Sequence, residues 1–540
     1  MERFFNIAGI CRPKDHYMVE PEARLVQLRT LIQRKAWFVV HAPRQSGKTT
    51  TTRLFAEALT TEGRFAAILA SCKPGSTAGN DIERGVGAVI GSLEGASELQ
   101  LPADLRPPSA DEVAGVAVEN RLGRYLQLWC DRCPLPVVLF FDEIDSMFGN
   151  SLLSILDQLH TAYPDRPKGA PHSLALIGLR DVRDYRASLP SSPQGDGQAS
   201  RMGRSSPFNI KSHSLTLRNF TPAEVDILYR QHTDDTGQAF SDEARALAHE
   251  LTGGQPWLVN ALAAVLVDEL VLDRAMKIEA ADVEVAKEVL IRRRDTHLDS
   301  LIERLREDRI RNVIEPILTG DFPEDEVYND DVLFVEDLGL VASGGGLLEI
   351  ANPIYREIIP RALTAAAERF LPIHRAAYIS EDGRLLWNDL LDSFIDYWKT
   401  NAEWMLKRQP YSEAASQLVL SAWLHRIVNG GAEVEARPAG VAAIDREYAV
   451  GSGRVDLLVR WPLPTGESER FAVEMKVRRD KDGDPLEEGM KQVSEYLDRL
   501  GLDEGTLVLF DQRSDAPPVT ERCSRDEQTH GGRRITVLRL

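Results

Sequence analysis

Residues 39–50 combine the residue types that bind the phosphates of a nucleotide. They read V-V-H-A-P-R-Q-S-G-K-T-T, after the apolar run 36–40 and ahead of a helix-forming stretch. A phosphate-binding loop needs this strand–loop–helix context, because backbone N–H groups and the positive end of the helix dipole converge there. We predict that Lys48 reaches the outer phosphates and that the Thr49 hydroxyl is a ligand of Mg²⁺. The predicted phosphate-binding residues are Ala42, Pro43, Arg44, Gln45, Ser46, Gly47, Lys48, Thr49 and Thr50.

One position departs from the usual pattern G-x-x-x-x-G-K-[ST]. Ala42 stands where that pattern has its first glycine. The substitution requires only that the backbone at position 42 accept a methyl group. We therefore expect a conformation there that an alanine can adopt.

A pair of carboxylates follows a second apolar stretch. Residues 136–141 read P-V-V-L-F-F and are followed directly by Asp142 and Glu143. Acidic residues after a strand are often only part of a solvated loop, but the phosphate-binding loop upstream favours a catalytic role. We predict that Asp142 holds Mg²⁺ through water and that Glu143 polarises the attacking water as general base.

A cation follows the next apolar stretch, residues 174–179. Arg180 at its end is a candidate contact for the γ-phosphate, because it would lie at the end of a strand beside the Asp142 strand. A surface ion pair with Asp181 or Asp184 is an equally good interpretation.

A third group of residues lies near the carboxyl end of the chain. Asp456 falls within one predicted strand, and Glu474 and Lys476 fall on the next, where a period of two puts them on the same face. Two carboxylates that share Mg²⁺, with a lysine beside them, form a site that cleaves phosphodiesters. The metal lowers the pKa of water, and Lys476 positions that water or neutralises charge. For E-x-K in a strand, the usual alternative is an exposed ion pair.

The composition limits what the protein can be. The chain has 540 residues, 43% of them hydrophobic and 27% charged, which indicates a globular protein of several domains. Its net charge of −19 excludes a global basic surface for nucleic acid, so any such contact must be local or depend on metal ions. Five cysteines argue against a disulfide framework. We predict no signal peptide and no membrane span, and therefore a cytoplasmic location.

Four motifs in the amino-terminal two thirds of the chain together resemble the STAND-type, AAA-like P-loop ATPases of bacteria. The resemblance rests on A-P-R-Q-S-G-K-T, L-F-F-D-E, G-L-R-D and G-Q-P at 254–256, and covers roughly residues 1–365. It implies ATP as the nucleotide. It also implies a helical lid that packs onto the nucleotide through the turn at Pro256, and a winged helix that follows the lid.

The carboxyl-terminal group resembles the PD-(D/E)xK nuclease superfamily, and Q-x-x-x-Y at 492–496 resembles its RecB-type branch. This resemblance covers roughly residues 410–540. It implies that Asp456 and Glu474 bind Mg²⁺ or Mn²⁺ and that Lys476 is catalytic. Gln492 and Tyr496, which share a helix face, would then contact the nucleic-acid strand.

The predicted fold is a multidomain α/β protein. A P-loop NTPase parallel sheet with a helical lid and a winged helix precedes a mixed-sheet α/β domain of the PD-(D/E)xK type. The third helix of the winged-helix segment is acidic, which favours internal packing over DNA reading. The expected boundaries are 1–218 for the ATPase core, 219–294 for the lid, 295–362 for the winged helix, 363–409 for a helical bridge and 410–540 for the nuclease-like domain.

Two functions from different classes stay open at this point. The leading hypothesis is a nuclease whose activity depends on the ATP state, with DNA favoured over RNA as its substrate. Defence or DNA processing in prokaryotes follows from the resemblance alone. The alternative is an ATP-driven signalling or assembly switch that forms homo-oligomers and whose carboxyl-terminal domain binds nucleic acid or a partner without cutting. A transposition-type helper ATPase would need a basic surface that the sequence lacks.

Overall fold

The computed structural model describes residues 3–178, 213–293, 296–318, 329–344, 347–368, 375–406, 414–428, 443–450, 453–480 and 483–540. The chain divides into two compact units. The first unit contains Met1–Ala280 together with Leu333–Leu340, and the second contains Ala281–Val332 and Val341–Leu540.

The first unit is built on a parallel five-stranded sheet. Its strands are β1 (Trp37–His41), β2 (Ala66–Ser71), β3 (Val137–Asp142), β4 (Ser173–Gly178) and β5 (His213–Thr216). The order across the sheet is β2-β3-β4-β1-β5, and each neighbouring pair is parallel. Strands β2, β3 and β4 are continuous apolar runs because helices cover both faces of the sheet. This sheet has the fold of a P-loop NTPase, with β4 inserted between β1 and β3.

Helices pack on both faces of this sheet. They are α1 (Pro21–Arg24), α2 (Leu28–Gln33), α3 (Lys48–Thr61), α4 (Ile82–Gln100), α5 (Val118–Arg132) and α6 (Gly149–Ala162). Short 3₁₀ turns lie at Lys73–Thr77, Ala103–Leu105, Ala110–Val113, Ile144–Ser146 and Tyr163–Asp165. One hydrophobic cluster joins α4, α5 and α6 to the sheet, and another joins α2 and α3 to the opposite face.

Three further helices follow the sheet in the first unit. They are α7 (Pro222–Thr236), α8 (Asp242–Thr252) and α9 (Pro256–Val265), and one π-helical turn, Leu266–Leu270, continues α9. Helix α7 begins with a capping box, in which Thr221 and Glu224 satisfy each other's backbone N–H groups. Glu224 is also held by Arg218, which lowers the pKa of that carboxyl to about 2. Both this cap and the end of α8 at Gly253 have local sequence signals, T-P-A-E at 221–224 and G-G at 253–254.

Four helices, a hairpin and a further helix follow along the chain. They are α10 (Ala280–Arg293), α11 (Thr296–Arg304), α12 (Asp308–Leu318), α13 (Asp330–Asp337), the antiparallel strands β6 (Val341–Gly344) and β7 (Leu347–Ile350), and α14 (Pro353–Glu368). A buried ionic cluster ties α10 to α14: Lys287 contacts Glu284 and Glu357, and Arg361 contacts Glu288 and Glu357. Burial is tolerated there because every charge has an opposite partner.

The carboxyl-terminal part of the second unit is a mixed six-stranded sheet. Its strands are β8 (Ala443–Val450), β9 (Gly453–Pro462), β10 (Ser468–Arg478), β11 (Glu504–Asp511), β12 (Ser524–His530) and β13 (Arg533–Arg539). The order is β12-β13-β11-β10-β9-β8, in which β10, β11 and β13 are parallel and the other pairs antiparallel. The helices of this part are α15 (Trp387–Leu406), α16 (Ala415–Val428), α17 (Leu486–Leu500) and α18 (Val519–Arg522), and a 3₁₀ turn lies at Arg375–Tyr378.

Each face of the mixed sheet has its own core. One face packs Val473 and Met475 of β10 against α15 and α16. The other face packs Leu458 of β9 and Ala472 of β10 against α17. Because side chains alternate along a strand, even-numbered residues of β10 lie on the α17 face.

Strands β5 and β12 were not predicted from the sequence. Residues 187–206, predicted as a loop rich in Ser, Pro and Gly, lie outside the described residues. Within the described part of the chain, no helix is both long enough and apolar enough to cross a membrane. The finer division into lid, winged helix, bridge and nuclease-like domain stays a prediction.

Candidate functional site

The predicted phosphate-binding loop joins β1 to the amino end of α3. Gly47 is the residue before α3 and has φ +84°, a conformation that glycine adopts without strain. A Cβ at this position would lie 3.1 Å from the guanidinium of Arg24. Arg24 is buried and donates to the carbonyl of Ser46 (2.8 Å) and to the carbonyl of Arg218, which fixes the loop from below.

Ala42 is buried in the core under the loop, with 1% of its surface exposed. The described non-glycine residues with positive φ are Lys35, Gln45 and Glu143, so Ala42 is not among them. Its backbone therefore accepts a methyl group without strain, as the sequence required.

Lys48, Thr49 and Asp142 meet where β1 and β3 end. Lys48 Nζ donates to the carbonyls of Ala42 (2.5 Å) and Pro43 (2.7 Å), and burial lowers the pKa of this amine to about 8. Thr49 Oγ1 donates to Asp142 Oδ2 at 2.6 Å. Burial raises the pKa of Asp142, and the hydrogen bond from Thr49 opposes that effect. A hydroxyl and a carboxylate oxygen side by side are ligands that Mg²⁺ accepts.

Glu143 is held in a strained conformation beside Asp142. Its φ is +55°, which a non-glycine residue rarely adopts and which is typical of functional positions. Ser71 Oγ donates to its carboxylate at 2.8 Å, and Lys73 lies 3.5 Å away. A groove of about 520 Å³ runs past Thr49, Asp142 and Glu143, within the size range of ligand sites.

The G-Q-P turn at 254–256 is packed tightly. Gly254 has φ +67°, and a Cβ there would lie 2.0 Å from the carbonyl oxygen of Phe220. Pro256 is the first residue of α9, and the Gln255 side chain caps that helix by accepting from Leu258 N–H. Trp257 Nε1 donates to the carbonyl of Ile7, which ties the turn to the amino-terminal segment.

A segment of acidic α13 and the turn after it, Leu333–Leu340, lies against the phosphate-binding loop. Asp337 Oδ1 is 3.4 Å from His41 Nδ1 at the end of β1. A Cβ on Gly339 would lie 2.7 Å from Pro43 Cγ, so the backbone approaches the loop closely. The acidity of α13 favours internal packing over DNA reading, but nothing in the sequence indicates that this segment contacts His41 and Pro43.

The carboxyl-terminal candidate residues meet on the α17 face of the mixed sheet. Lys476 Nζ lies 3.1 Å from Glu474 Oε1, and Asp456 Oδ2 accepts from Met475 N–H at 2.6 Å. Glu474 is 4% exposed. Burial, with the charge of Asp456 added to it, raises the pKa of Glu474 to about 8, against the opposing effect of Lys476.

One oxygen of this carboxylate has no hydrogen-bond partner within the described part of the chain. Glu474 Oε2 is buried and accepts no hydrogen bond from the described residues. An unsatisfied buried carboxylate oxygen is costly, which suits a ligand position for a cation. Within the described residues, however, no group of three or more His, Cys, Asp and Glu side chains is arranged to hold a metal ion.

Gln492 and Tyr496 lie on α17, which covers this face. Gln492 Nε2 contacts Glu488 at 3.4 Å, and Gln492 Oε1 is buried without a hydrogen-bond partner among the described residues. Tyr496 is buried in the cluster between α17 and the sheet. Arg180, the candidate γ-phosphate contact, lies outside the described residues.

Sequence reasoning did not identify three residues of the first site: Arg24, Ser71 and His41. Arg24 is the last residue of α1, a helix of four residues, and no neighbouring residue in the sequence indicates that its side chain is buried. Ser71 and His41 could have been found, because each ends a strand of the parallel sheet at the edge where Asp142 lies.

Comparison with known proteins yields similar backbones without a shared family. No protein-family model and no curated protein match the chain. Similar structures include the Walker-type ATPase PABY2304 of Pyrococcus abyssi (14% identity, 66% of this chain and 99% of that one, TM-score 0.46). They also include the ORC2 protein of Aeropyrum pernix (15%, 67% and 96%, TM-score 0.38) and the Holliday junction branch migration motor RuvB of Thermotoga maritima (15%, 62% and 92%, TM-score 0.32). Similarities of this degree establish no activity for the chain.

Proposed function

We propose that the first unit binds and hydrolyses ATP. The proposal rests on the meeting of Lys48, Thr49 and Asp142 at the carboxyl edge of a parallel sheet, beside Glu143 with its positive φ. Lys48 is placed to contact the outer phosphates, and backbone N–H groups at the start of α3 face the same region. Thr49 and Asp142 would hold Mg²⁺, which neutralises phosphate charge. Glu143 would take a proton from the attacking water.

We further propose that the mixed sheet carries a metal-dependent nuclease centre of the PD-(D/E)xK type. The carrying observation is the carboxyl of Glu474, which is buried next to Asp456 with one oxygen unsatisfied and a raised pKa. Such an arrangement destabilises the folded protein unless a cation binds, and perturbed groups of this kind mark functional sites.

Each residue of this centre would have a distinct role in cleavage. Asp456 and Glu474 would hold Mg²⁺ or Mn²⁺, which offsets the charge of the phosphodiester and promotes deprotonation of the attacking water. Lys476 would keep its ammonium beside Glu474 and stabilise negative charge that develops on the phosphate. Gln492 would contact the strand from α17, whereas Tyr496, which is buried between α17 and the sheet, would support that helix.

We propose that the ATP state controls this nuclease through Leu333–Leu340. This segment belongs to the first unit, whereas the chain on both sides of it belongs to the second. It contacts His41, which directly precedes the phosphate-binding loop, and Pro43, which belongs to the loop. A change in the loop on nucleotide binding would therefore act directly on a segment tied at both ends to the second unit.

The test is cleavage of labelled single-stranded DNA, duplex DNA and RNA by the full chain. Reactions contain Mg²⁺ or Mn²⁺, with and without ATP. We expect Lys476→Ala to abolish cleavage and Lys48→Ala to abolish its dependence on ATP. The matched controls are Lys399→Ala and Lys277→Ala, which remove partly exposed lysines outside both sites.

Two results would count against the proposal in separate ways. Cleavage that persists in Lys476→Ala would mean that another centre, or a contaminant, cuts the substrate. Cleavage that is the same in Lys48→Ala and wild type at every ATP level would disprove the coupling while leaving the nuclease intact.

A second candidate function is an ATP-driven switch that binds without cutting. It fits the finding that no group of three or more His, Cys, Asp and Glu side chains among the described residues is arranged to hold a metal ion. Direct Mn²⁺ binding separates the two. Affinity that is lost in Glu474→Gln but kept in Glu467→Gln, a change at an exposed position, supports the nuclease. No Mn²⁺ affinity in the wild-type protein supports the switch.

A further inference from the structure

A small pocket rich in arginine opens where the three parallel strands of the mixed sheet end. Its volume is about 150 Å³. Its walls come from the carboxyl ends of β10, β11 and β13 and from the segment around α18. The lining includes Arg478, Arg513, Arg522 and Arg539, with Asp484 and Asp511. In α/β sheets, the carboxyl ends of parallel strands are where ligands bind.

The charges in this pocket do not cancel. Arg513 forms a bidentate pair with Asp511 (2.8 and 2.9 Å), which lowers the pKa of that carboxyl. Arg478 lies 4.0 Å from Asp484, at the outer limit of an ion pair. Arg513 also lies 3.6 Å from Asp515, so its charge is compensated, whereas Arg522 and Arg539 form no ion pair with any of the described residues.

Two of the arginines have unused donors. The Nε atoms of Arg478 and Arg522 are buried and donate no hydrogen bond to the described residues. Arg522 Nη1 makes only a long contact, 3.3 Å, with the carbonyl of Pro517. Guanidinium groups with free N–H donors recognise anions of phosphate or carboxylate geometry. A volume several times the share of one water, about 30 Å³, has room for such a group.

The pocket is next to the proposed nuclease centre. Arg478 follows Lys476 by two residues on β10, so both side chains leave the strand on the same face. Two residues of a strand span about 6.6 Å, comparable to the separation of neighbouring phosphates along an extended nucleic-acid strand. An anion in the pocket would thus lie one phosphate away from a phosphodiester at Lys476.

We propose that this pocket binds the phosphate group adjacent to the scissile one in the nucleic acid that the centre cuts. The inference rests on the proposed nuclease function and adds the positioning residues Arg478 and Arg522. Their donors hold the neighbouring phosphate and thereby fix which phosphodiester reaches Asp456, Glu474 and Lys476. The pocket places arginine side chains near Lys476 in a chain whose net charge is −19.

The test measures binding of a fluorescent single-stranded oligonucleotide by the full chain, with Ca²⁺ in place of Mg²⁺, over a range of salt concentrations. We expect Arg478→Gln/Arg522→Gln to weaken binding on the order of tenfold and to reduce the slope of log K against log salt by about 0.7, the value for one phosphate contact on a single strand. Arg533→Gln is the control, because Arg533 begins β13 at the opposite edge and pairs with Asp498 and Asp503.

Two further measurements test whether a loss of oligonucleotide affinity in the double variant comes from a lost phosphate contact. A neutral methylphosphonate next to the scissile position should weaken wild-type binding and have no further effect in the double variant, because the contact is already lost. Arg478→Lys/Arg522→Lys keeps the charge but loses the planar donors, so we expect an intermediate affinity and a near-normal thermal unfolding midpoint. Inorganic phosphate that binds the pocket without competing with the oligonucleotide would overturn the proposal.

The outcomes distinguish the pocket from the nuclease. Equal affinity and equal salt slope in wild type and double variant overturn the pocket, whether or not cleavage occurs. Binding that depends on the two arginines, with no cleavage in Mn²⁺, supports the pocket as a phosphate site and refutes the nuclease. Cleavage with an unchanged KM in the double variant keeps the nuclease and removes the pocket from it.

Discussion

If Glu474 holds the metal as proposed, metal binding should release a proton from this carboxyl. Burial beside Asp456 raises the pKa of this carboxyl to about 8. At pH 7 the protonated fraction is 1/(1 + 10⁻¹), or about 0.9, and at pH 9 it is about 0.1. A cation binds only the carboxylate, so Mn²⁺ should displace about 0.9 proton at pH 7 and about 0.1 proton at pH 9. The apparent affinity should therefore rise about tenfold between pH 7 and pH 9.

The same carboxyl should make the metal-free protein less stable as the pH rises. Its ordinary pKa is 4.5, so between pH 4.5 and about 8 the folded state binds more protons than the unfolded state. The free energy of unfolding then falls with rising pH over this window. The difference between 4.5 and about 8 corresponds to at most about 5 kcal/mol. Glu474→Gln removes this penalty and should be more stable than wild type at pH 9 without metal.

The assay is isothermal titration of Mn²⁺ into the full chain at pH 7 and pH 9, in two buffers that differ in ionisation enthalpy. Wild type should show the proton release given above, and Glu474→Gln should show neither binding nor release. The exposed Glu467→Gln is the control and should match wild type. The reasoning fails if Mn²⁺ binds wild type at pH 7 without release of protons, or if Glu474→Gln is less stable than wild type at pH 9.

Three further predictions concern stability and nucleotide exchange. Gly254→Ala should lower the free energy of unfolding, measured by chemical denaturation, by at least about 2 kcal/mol. The reason is that φ is +67° at this position and the added methyl group would lie 2.0 Å from the Phe220 carbonyl oxygen. A loss below about 0.5 kcal/mol would contradict this packing. Lys287→Met should lower the free energy of unfolding by about 3–5 kcal/mol in the same assay, because it leaves buried carboxylates without their cation. An unchanged free energy of unfolding would mean that the remaining charges of the buried cluster rearrange without cost. Asp337→Ala should speed the release of a fluorescent nucleotide about fivefold, because it removes the contact with His41, which we take to contribute about 1 kcal/mol. An unchanged release rate would argue against control through Leu333–Leu340.

Local sequence was enough to predict the elements that carry the chemistry. The strands before Lys48 and after Pro136 were predictable because strands of a parallel sheet are buried on both faces and so appear as unbroken apolar runs. The cap at Thr221 and the break at Gly253 and Gly254 follow from short-range hydrogen bonding and backbone sterics. Strand β12, which reads S-R-D-E-Q-T-H and is mostly exposed, has no such signal. It forms because β13 offers it an antiparallel partner.

At both candidate sites, the sequence determines one set of features and the tertiary structure determines another. The sequence by itself determined the residue types, their spacing and the strand ends that carry Thr49, Asp142, Glu474 and Lys476, because these depend on periods of two and on neighbouring residues. Only the tertiary structure decided which distant groups meet them. Arg24 beneath the phosphate-binding loop, Ser71 on Glu143, Leu333–Leu340 against the loop and the arginine pocket beyond β10 are contacts between residues far apart in the chain. Such contacts are selected by packing and by compensation of buried charge, which no local pattern encodes.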